Sequence, residues 1–239
     1  MKVKLRAYGL KKRILQCRLD RQRRANNPNK YNDDGTINKS NREKWIQSEN
    51  DRKMRKELVE MSRKVADKRK QAHNQLANHI LSLGLDVRVE TMNFKGLQSK
   101  AKKTEVSEKT GQFKRKKRFG KSLANRAPSM LLSIIDNKLN YFGLPLKRID
   151  AAKVKASQFE HFTQTYVKKK FSKRWNHFEQ GDVQRDLYSA FLIMNTKDNL
   201  CEIDVERANK TWNHFFDKHQ QEIERIKHLN KKHLSSIGL

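Results

Sequence analysis

Apolar residues recur at helical spacing through the first third of the chain. Residues 3–26 predict one helix, which the Asn-Asn-Pro-Asn run at 26–29 ends, because the residue before a proline disfavours helical backbone. A second helix is predicted from near Asn41 to about Leu83, with Gly84 after it. Its apolar seam consists of Met54, Leu58, Met61, Val65, Ala72, Leu76 and Ile80. Because a turn-rich loop at 27–41 joins the two, we predict an antiparallel helical hairpin over residues 1–84.

The periodicity changes after Gly84. Residues 85–90 alternate apolar and polar positions, which predicts a short strand, and residues 144–149 predict a second one. Between them, residues 124–141 carry the apolar face of a helix, so the order strand, helix, strand predicts an α/β unit. A basic linker is expected at 98–121.

The remaining residues complete three predicted regions. A helix is predicted at 184–195 and another at about 204–229, whereas residues 150–183 lack a strong period. We therefore expect the hairpin at 1–84, an α/β core at 85–195 and a C-terminal helical region at 196–239.

Charge indicates the kind of partner. The 239 residues contain 55 Lys and Arg against 26 Asp and Glu, for a net charge of +29, and only 35% are hydrophobic. A polyanion is the natural partner of such a chain, and nucleic acid is the first candidate.

No apolar run long enough to span a membrane occurs, and two cysteines, Cys17 and Cys201, exclude a disulfide framework and a four-cysteine zinc site. We expect a cytoplasmic, nucleoid-associated protein with no membrane partner.

Basic residues with nearby aromatics are the candidate nucleic-acid contacts. Lysine and arginine neutralise phosphates, while rings such as Phe113 and Phe119 offer stacking surfaces. The alternative is a solvated linker that keeps the chain soluble. The candidates are Lys114, Arg115, Lys116, Lys117, Arg118 and Lys121 in the linker, and Arg21, Arg23 and Arg24 at the end of the first helix.

Two carboxylates occupy positions that suit metal ligands. Glu90 closes the first predicted strand, and Asp186 opens the helix at 184–195. Mg²⁺ binds carboxylate oxygens together with water and substrate phosphate, and a metal pair can cleave a phosphodiester. The alternative is a helix cap or a surface charge. Asp182 is a further carboxylate to which no role is assigned.

The segments VRVETMNFKGLQ at 87–98, RFGKSLANRAPSMLLSIIDNKLNYFG at 118–143 and QRDLYSAFLIMN at 184–195 resemble motifs of the TnpB/OrfB transposon-associated proteins. The basic segment at 19–37 resembles the coiled insertion of that family. The order and spacing of these segments extend the resemblance over nearly the whole chain.

The resemblance implies a RuvC-like nuclease domain of the RNase H-like fold, here partial, with the long basic hairpin inserted. Active members are RNA-guided, Mg²⁺-dependent DNA endonucleases of insertion sequences, associated with transposition and DNA recombination. Glu90 and Asp186 match the second and third members of the catalytic Asp, Glu, Asp set. The GxDxG-like strand that carries the first Asp has no counterpart here, and neither do the paired CxxC motifs of the zinc ribbon.

The expected function is therefore that of a transposase-family protein that binds DNA and guide RNA. The chain is expected to correspond to the C-terminal part of the family, truncated and inactive or weak as a nuclease, with Mg²⁺ bound only if the site is completed. One alternative is a nuclease-dead protein that acts by occupying DNA or RNA. Another is a basic coiled protein that binds ribosomal or other RNA. The long hairpin also offers a surface for self-association.

Overall fold

The computed structural model describes residues 2–99, 105–108, 110–111, 120–170, 172–229 and 238. Its contacts divide the chain into an N-terminal unit, Met1–Leu76, and a C-terminal unit, Ala77–Leu239, with the division inside the second long helix. The structure is mixed α/β, because long helices are combined with short two-stranded sheets.

Two helices pack against each other in the N-terminal unit. Helix α1 spans Lys2–Asn26, and α2 spans Glu49–Leu83. Leu15 and Leu19 of α1 are buried with Met61 of α2. Near the start of α1, Tyr8 lies under the Lys68 ammonium, 4.4 Å from its ring centroid, whereas Gln22 near the end of α1 donates to Ser48 just before α2. The two helices therefore run antiparallel.

The connection between α1 and α2 is longer than the sequence predicts. The predicted start of the second helix near Asn41 is wrong, because α2 begins at Glu49. The side chain of Asn27 accepts from the Ile46 N–H at 2.7 Å and donates to the Ile46 carbonyl at 3.0 Å, and it thereby satisfies this backbone outside a helix. A single 3₁₀ turn, Pro28–Lys30, follows α1.

A parallel strand pair begins the C-terminal unit and confirms the predicted α/β unit. Strand β1 (Arg88–Glu90) pairs with β2 (Lys147–Ile149), with Glu90 opposite Ile149. The connection contains helices α3 (Phe94–Leu97), α4 (Gly120–Arg126) and α5 (Pro128–Asn140). The single helix predicted at 124–141 is broken at Ala127, because this residue precedes Pro128 and adopts a left-handed backbone, φ 42°.

Residues 150–184 contain short elements that the sequence did not predict. Helix α6 (Ala151–Val154) is followed by an antiparallel pair, β3 (Phe159–Glu160) and β4 (Thr165–Tyr166). A second antiparallel pair joins β5 (Trp175–Phe178) to β6 (Gly181–Gln184). Gly181 has φ 134°, and a Cβ there would lie 3.1 Å from the ring of Phe216, so both the backbone and the packing favour glycine.

Aromatic residues form the core between these pairs and the last two helices. Helix α7 (Arg185–Met194) begins directly after β6, and α8 (Val205–Lys227) packs against both α7 and β6. Trp212 of α8 is 2% exposed. Its ring centroid lies 4.9 Å from His161, 5.2 Å from Phe162 and 5.1 Å from Phe178. Both helices begin close to their predicted positions, with Gln184 and Asp204 as N-caps.

Candidate functional site

Glu90 is the last residue of β1. The first residue of this strand, Arg88, is held by hydrogen bonds. The side chain of Arg88 is 3% exposed, and its guanidinium donates to the Asp86 carboxylate at 3.0 Å and to the Thr196 hydroxyl at 3.0 Å. It also donates to the Thr196 carbonyl. Beyond Glu90, the Thr91 N–H donates to the Ile149 carbonyl at 3.2 Å. The position of Glu90 is therefore set by bonds on both sides of it.

Asp186 lies in the first turn of α7, as the sequence predicts. Its carboxylate is 57% exposed and lies 3.5 Å from the Arg185 guanidinium. Arg185 also donates to the Lys173 carbonyl at 3.2 Å, which attaches the segment before β5 to the start of α7. Helix α7 packs against β1, so the structure places the two predicted metal ligands on elements that contact each other.

The described residues do not assemble a complete metal site around these carboxylates. Within the part of the chain that the structure describes, no group of three or more His, Cys, Asp or Glu side chains is arranged to hold a metal ion. Asp186 is next to a cation, and Mg²⁺ prefers several oxygen ligands. The described residues therefore do not fit a two-metal centre by themselves.

The three predicted arginines at the end of α1 have different surroundings. Arg21 is exposed. The Arg23 guanidinium lies 3.9 Å from the ring centroid of Trp45. Arg24 donates to Asp20 at 3.1 Å and to the Gly35 carbonyl at 3.0 Å, although 46% of its side chain stays exposed. Arg23 and Arg24 thus hold the connection between the helices as well as carrying charge.

Exposed cations continue along both helices of the N-terminal unit. We call this set the hairpin basic surface. It comprises Lys11, Arg13, Arg18 and Arg21 on α1, and Arg52, Lys53, Lys56 and Lys70 on α2. The predicted contacts Lys114, Arg115, Lys116, Lys117 and Arg118 lie outside the described residues, and so does the side chain of Lys121.

A buried histidine lies in the core of the C-terminal unit and has a structural role. His161 is fully buried, and its Nδ1 lies 2.7 Å from the Tyr188 hydroxyl, which also accepts from the His161 backbone N–H at 3.1 Å. Burial lowers the pKa of His161 to about 4 and raises that of Tyr188. His161 is therefore neutral in the folded protein at neutral pH.

This histidine predicts that acid destabilises the C-terminal unit. The unfolded chain binds a proton near the ordinary pKa of 6.5, whereas folded His161 resists protonation until about pH 4. The contribution of His161 to the free energy of unfolding is therefore fully present above about pH 7. This contribution falls by about 2 kcal/mol between pH 7 and pH 5. Urea unfolding at the two pH values measures the loss. A His161→Phe variant should show a smaller loss, and an equal loss in the variant would contradict this account.

A second histidine forms a pair that the sequence analysis missed. His177 on β5 and Asp182 on β6 are direct cross-strand partners, and His177 Nδ1 lies 2.5 Å from Asp182 Oδ1. The two residues flank Phe178-Glu179-Gln180-Gly181, and a hairpin turn at this glycine puts positions i and i+5 opposite each other. Recognising that turn would have found the pair.

No protein-family model and no curated protein matches this chain. Among the described helices, none has the length and apolar character required to cross a membrane.

Proposed function

We propose that this chain is a nucleic-acid-binding protein of the TnpB/OrfB transposase class that acts by occupying DNA and RNA. The observation that carries the proposal is the hairpin basic surface, in a chain of net charge +29. The cations are exposed on two helices that pack against each other, and phosphate neutralisation releases counterions and thereby provides sequence-independent affinity.

The C-terminal unit supports the family part of the proposal. Its parallel pair β1–β2, the crossover helices and α7 packed on β1 are compatible with part of an RNase H-like core. Glu90 and Asp186 occupy a strand end and a helix start, as the resemblance requires. This agreement favours the proposal over a purely helical RNA-binding protein.

The second candidate function is a Mg²⁺-dependent, RNA-guided DNA endonuclease. The contact between α7 and β1, which carry Asp186 and Glu90, favours it. Because the described residues do not complete a metal site, a further carboxylate would have to join these two. Occupancy is the better-supported function, since it needs only the charge and the fold.

A binding and cleavage assay on one plasmid DNA separates the two functions. The purified protein, with and without co-expressed RNA, is incubated with Mg²⁺ or Mn²⁺ beside Glu90→Gln and Asp186→Asn variants. Occupancy predicts binding with no cleavage, and affinities within about twofold of wild type in both variants, because the proposed phosphate contacts are made by the hairpin basic surface and not by Glu90 or Asp186. Cleavage that both variants lose would establish the endonuclease instead. Absence of binding to DNA and to RNA would reject both functions.

A further inference from the structure

The β5–β6 pair presents a histidine–carboxylate dyad to solvent. His177 and Asp182 are 65% and 58% exposed, and their 2.5 Å contact joins Nδ1 to a carboxylate oxygen. An ionised carboxylate can only accept hydrogen bonds, so in the neutral tautomer that donates to Asp182 the hydrogen is on Nδ1. The other ring nitrogen, Nε2, is then an acceptor, which is the arrangement of a general base held by a positioning carboxylate.

The strands that carry the dyad are anchored to the last helix. The Gln220 amide on α8 donates to the Asp182 carbonyl at 3.1 Å. At the other end of β6, the Gln184 N–H donates to Nε2 of the buried His219 at 3.0 Å. The Trp175 indole, at the start of β5, donates to the Gly238 carbonyl at 3.1 Å. The dyad therefore lies on a fixed element.

A cavity of about 460 Å³ lies beside the dyad and is lined with cations. Lys173, Arg174 and Lys227 line it together with His177 and Asp182. Lys227 is paired with Glu224 at 2.7 Å, so Lys173 and Arg174 supply most of the positive charge that an anion would meet. The ring of Trp175 provides an apolar wall for a base or a ribose.

The geometry points to this cavity as an RNA-cleaving site in which His177 is the general base. The inference rests on the proposed binding of RNA. RNA brings its own nucleophile, the ribose 2′-hydroxyl, so that a base and cations suffice to start the reaction and no metal is required. Lys173 and Arg174 line the same cavity, and their positive charge would stabilise the negative charge that builds on the phosphate oxygens.

The reaction is a transesterification. His177 Nε2 takes the proton of the 2′-hydroxyl as the 2′-oxygen forms a bond to the adjacent phosphorus. The bond between phosphorus and the 5′-oxygen breaks, and its electron pair stays on that oxygen, which takes a proton from water. The imidazolium then returns its proton to the hydroxide. The products are a 2′,3′-cyclic phosphate and a 5′-hydroxyl.

The test uses a labelled oligonucleotide that contains one ribonucleotide in an otherwise deoxyribose strand, in parallel samples with Mg²⁺ and with EDTA, and binding is measured in the same samples. Wild type is expected to cut beside the ribonucleotide and to leave a cyclic phosphate. A His177→Gln variant should lose about 100-fold or more in kcat at an affinity within about twofold of wild type. His214→Gln is the matched control, because His214 is exposed on α8 and lies outside the cavity; it should cut like wild type.

Asp182 is a positioning residue, and its test separates positioning from folding. Asp182→Asn should lower kcat about tenfold with KM unchanged, because the ring loses its orienting charge while the cations remain. Asp182→Glu should restore part of kcat. Loss of kcat and KM together in the asparagine variant, without this rescue, would contradict the positioning role.

Three outcomes would overturn the inference. They are RNA bound but uncut, equal cutting by wild type and His177→Gln, and cutting that EDTA abolishes. Each leaves the proposed binding function intact. If the oligonucleotide does not bind at all, the proposed function and this inference both fail.

Discussion

Replacement of Trp212 by alanine is expected to lower the free energy of unfolding of the C-terminal unit by about 3–5 kcal/mol. Trp212 is 2% exposed and contacts the rings of Tyr188 and Phe191 as well as His161. Its indole N–H also donates to the Gln180 side chain in the turn before β6. The truncation therefore leaves a cavity that faces β5–β6, α7 and α8 at once, and all of them lose packing.

Urea unfolding followed by circular dichroism measures this effect. Trp175→Ala is the matched control, because Trp175 is only half-buried. This substitution should lower the free energy of unfolding clearly less than Trp212→Ala does. Should the Trp212→Ala chain fail to fold, Trp212→Phe keeps the ring packing and is expected to cost about 1–2 kcal/mol. Equal losses at Trp212 and Trp175 would contradict the assignment of Trp212 as the centre of this core.

Replacement of Arg88 by leucine has the second largest expected effect, a loss of roughly 2–4 kcal/mol. The side chain of Arg88 is 3% exposed and donates to both the carbonyl and the hydroxyl of the fully buried Thr196. Burial opposes ionisation of Asp86, but the bonds and charges of Arg88 and Lys147 outweigh it and hold the pKa of Asp86 below its usual value. Without Arg88, the Thr196 carbonyl loses this donor, while Asp86 keeps, among the described residues, its pair with Lys147 at 2.9 Å.

Arg148→Leu is the control for this variant. Arg148 lies next along the chain from Lys147, but its side chain is 48% exposed and 3.8 Å from Asp136. An exposed pair contributes under about 1 kcal/mol. Chemical denaturation should therefore separate the two variants, and a loss at Arg148 as large as that at Arg88 would show that buried bonding to Thr196 is not what stabilises β1.

The sequence predicts helix α1 and the two strands of the parallel pair because their signals are redundant. Helix α1 has an apolar face and ends shortly before a proline. A glycine precedes each of β1 and β2, and a predicted helix separates the two strands. The start of α2 was misplaced because its first seam residue, Met54, lies beyond the true start and does not mark it. The bonds of Asn27 to Ile46 decide that boundary, and a contact 19 residues away is not visible in local periodicity.

The candidate sites were predicted unevenly for related reasons. Glu90 and Asp186 follow from element ends, so their places on β1 and α7 were predicted, whereas the distance between two such elements is a tertiary property. His177 and Asp182 lie on strands of four residues in a segment without periodicity, and only the register of β5 with β6 brings them together. Short polar hairpins carry too few apolar positions to be recognised by alternation.

The most direct test of the central claim is the salt dependence of nucleic-acid binding. If the hairpin basic surface neutralises six or more phosphates, the association constant should fall by about 1,000-fold or more between about 50 and 200 mM salt. An Arg13→Gln, Arg18→Gln, Arg21→Gln variant should lower the slope by roughly one for each lost contact, whereas Arg63→Gln should change it little, because Arg63 already pairs with Glu60 and Asp67. An affinity that salt barely changes, or a slope equal in the triple variant and wild type, would contradict binding through this surface.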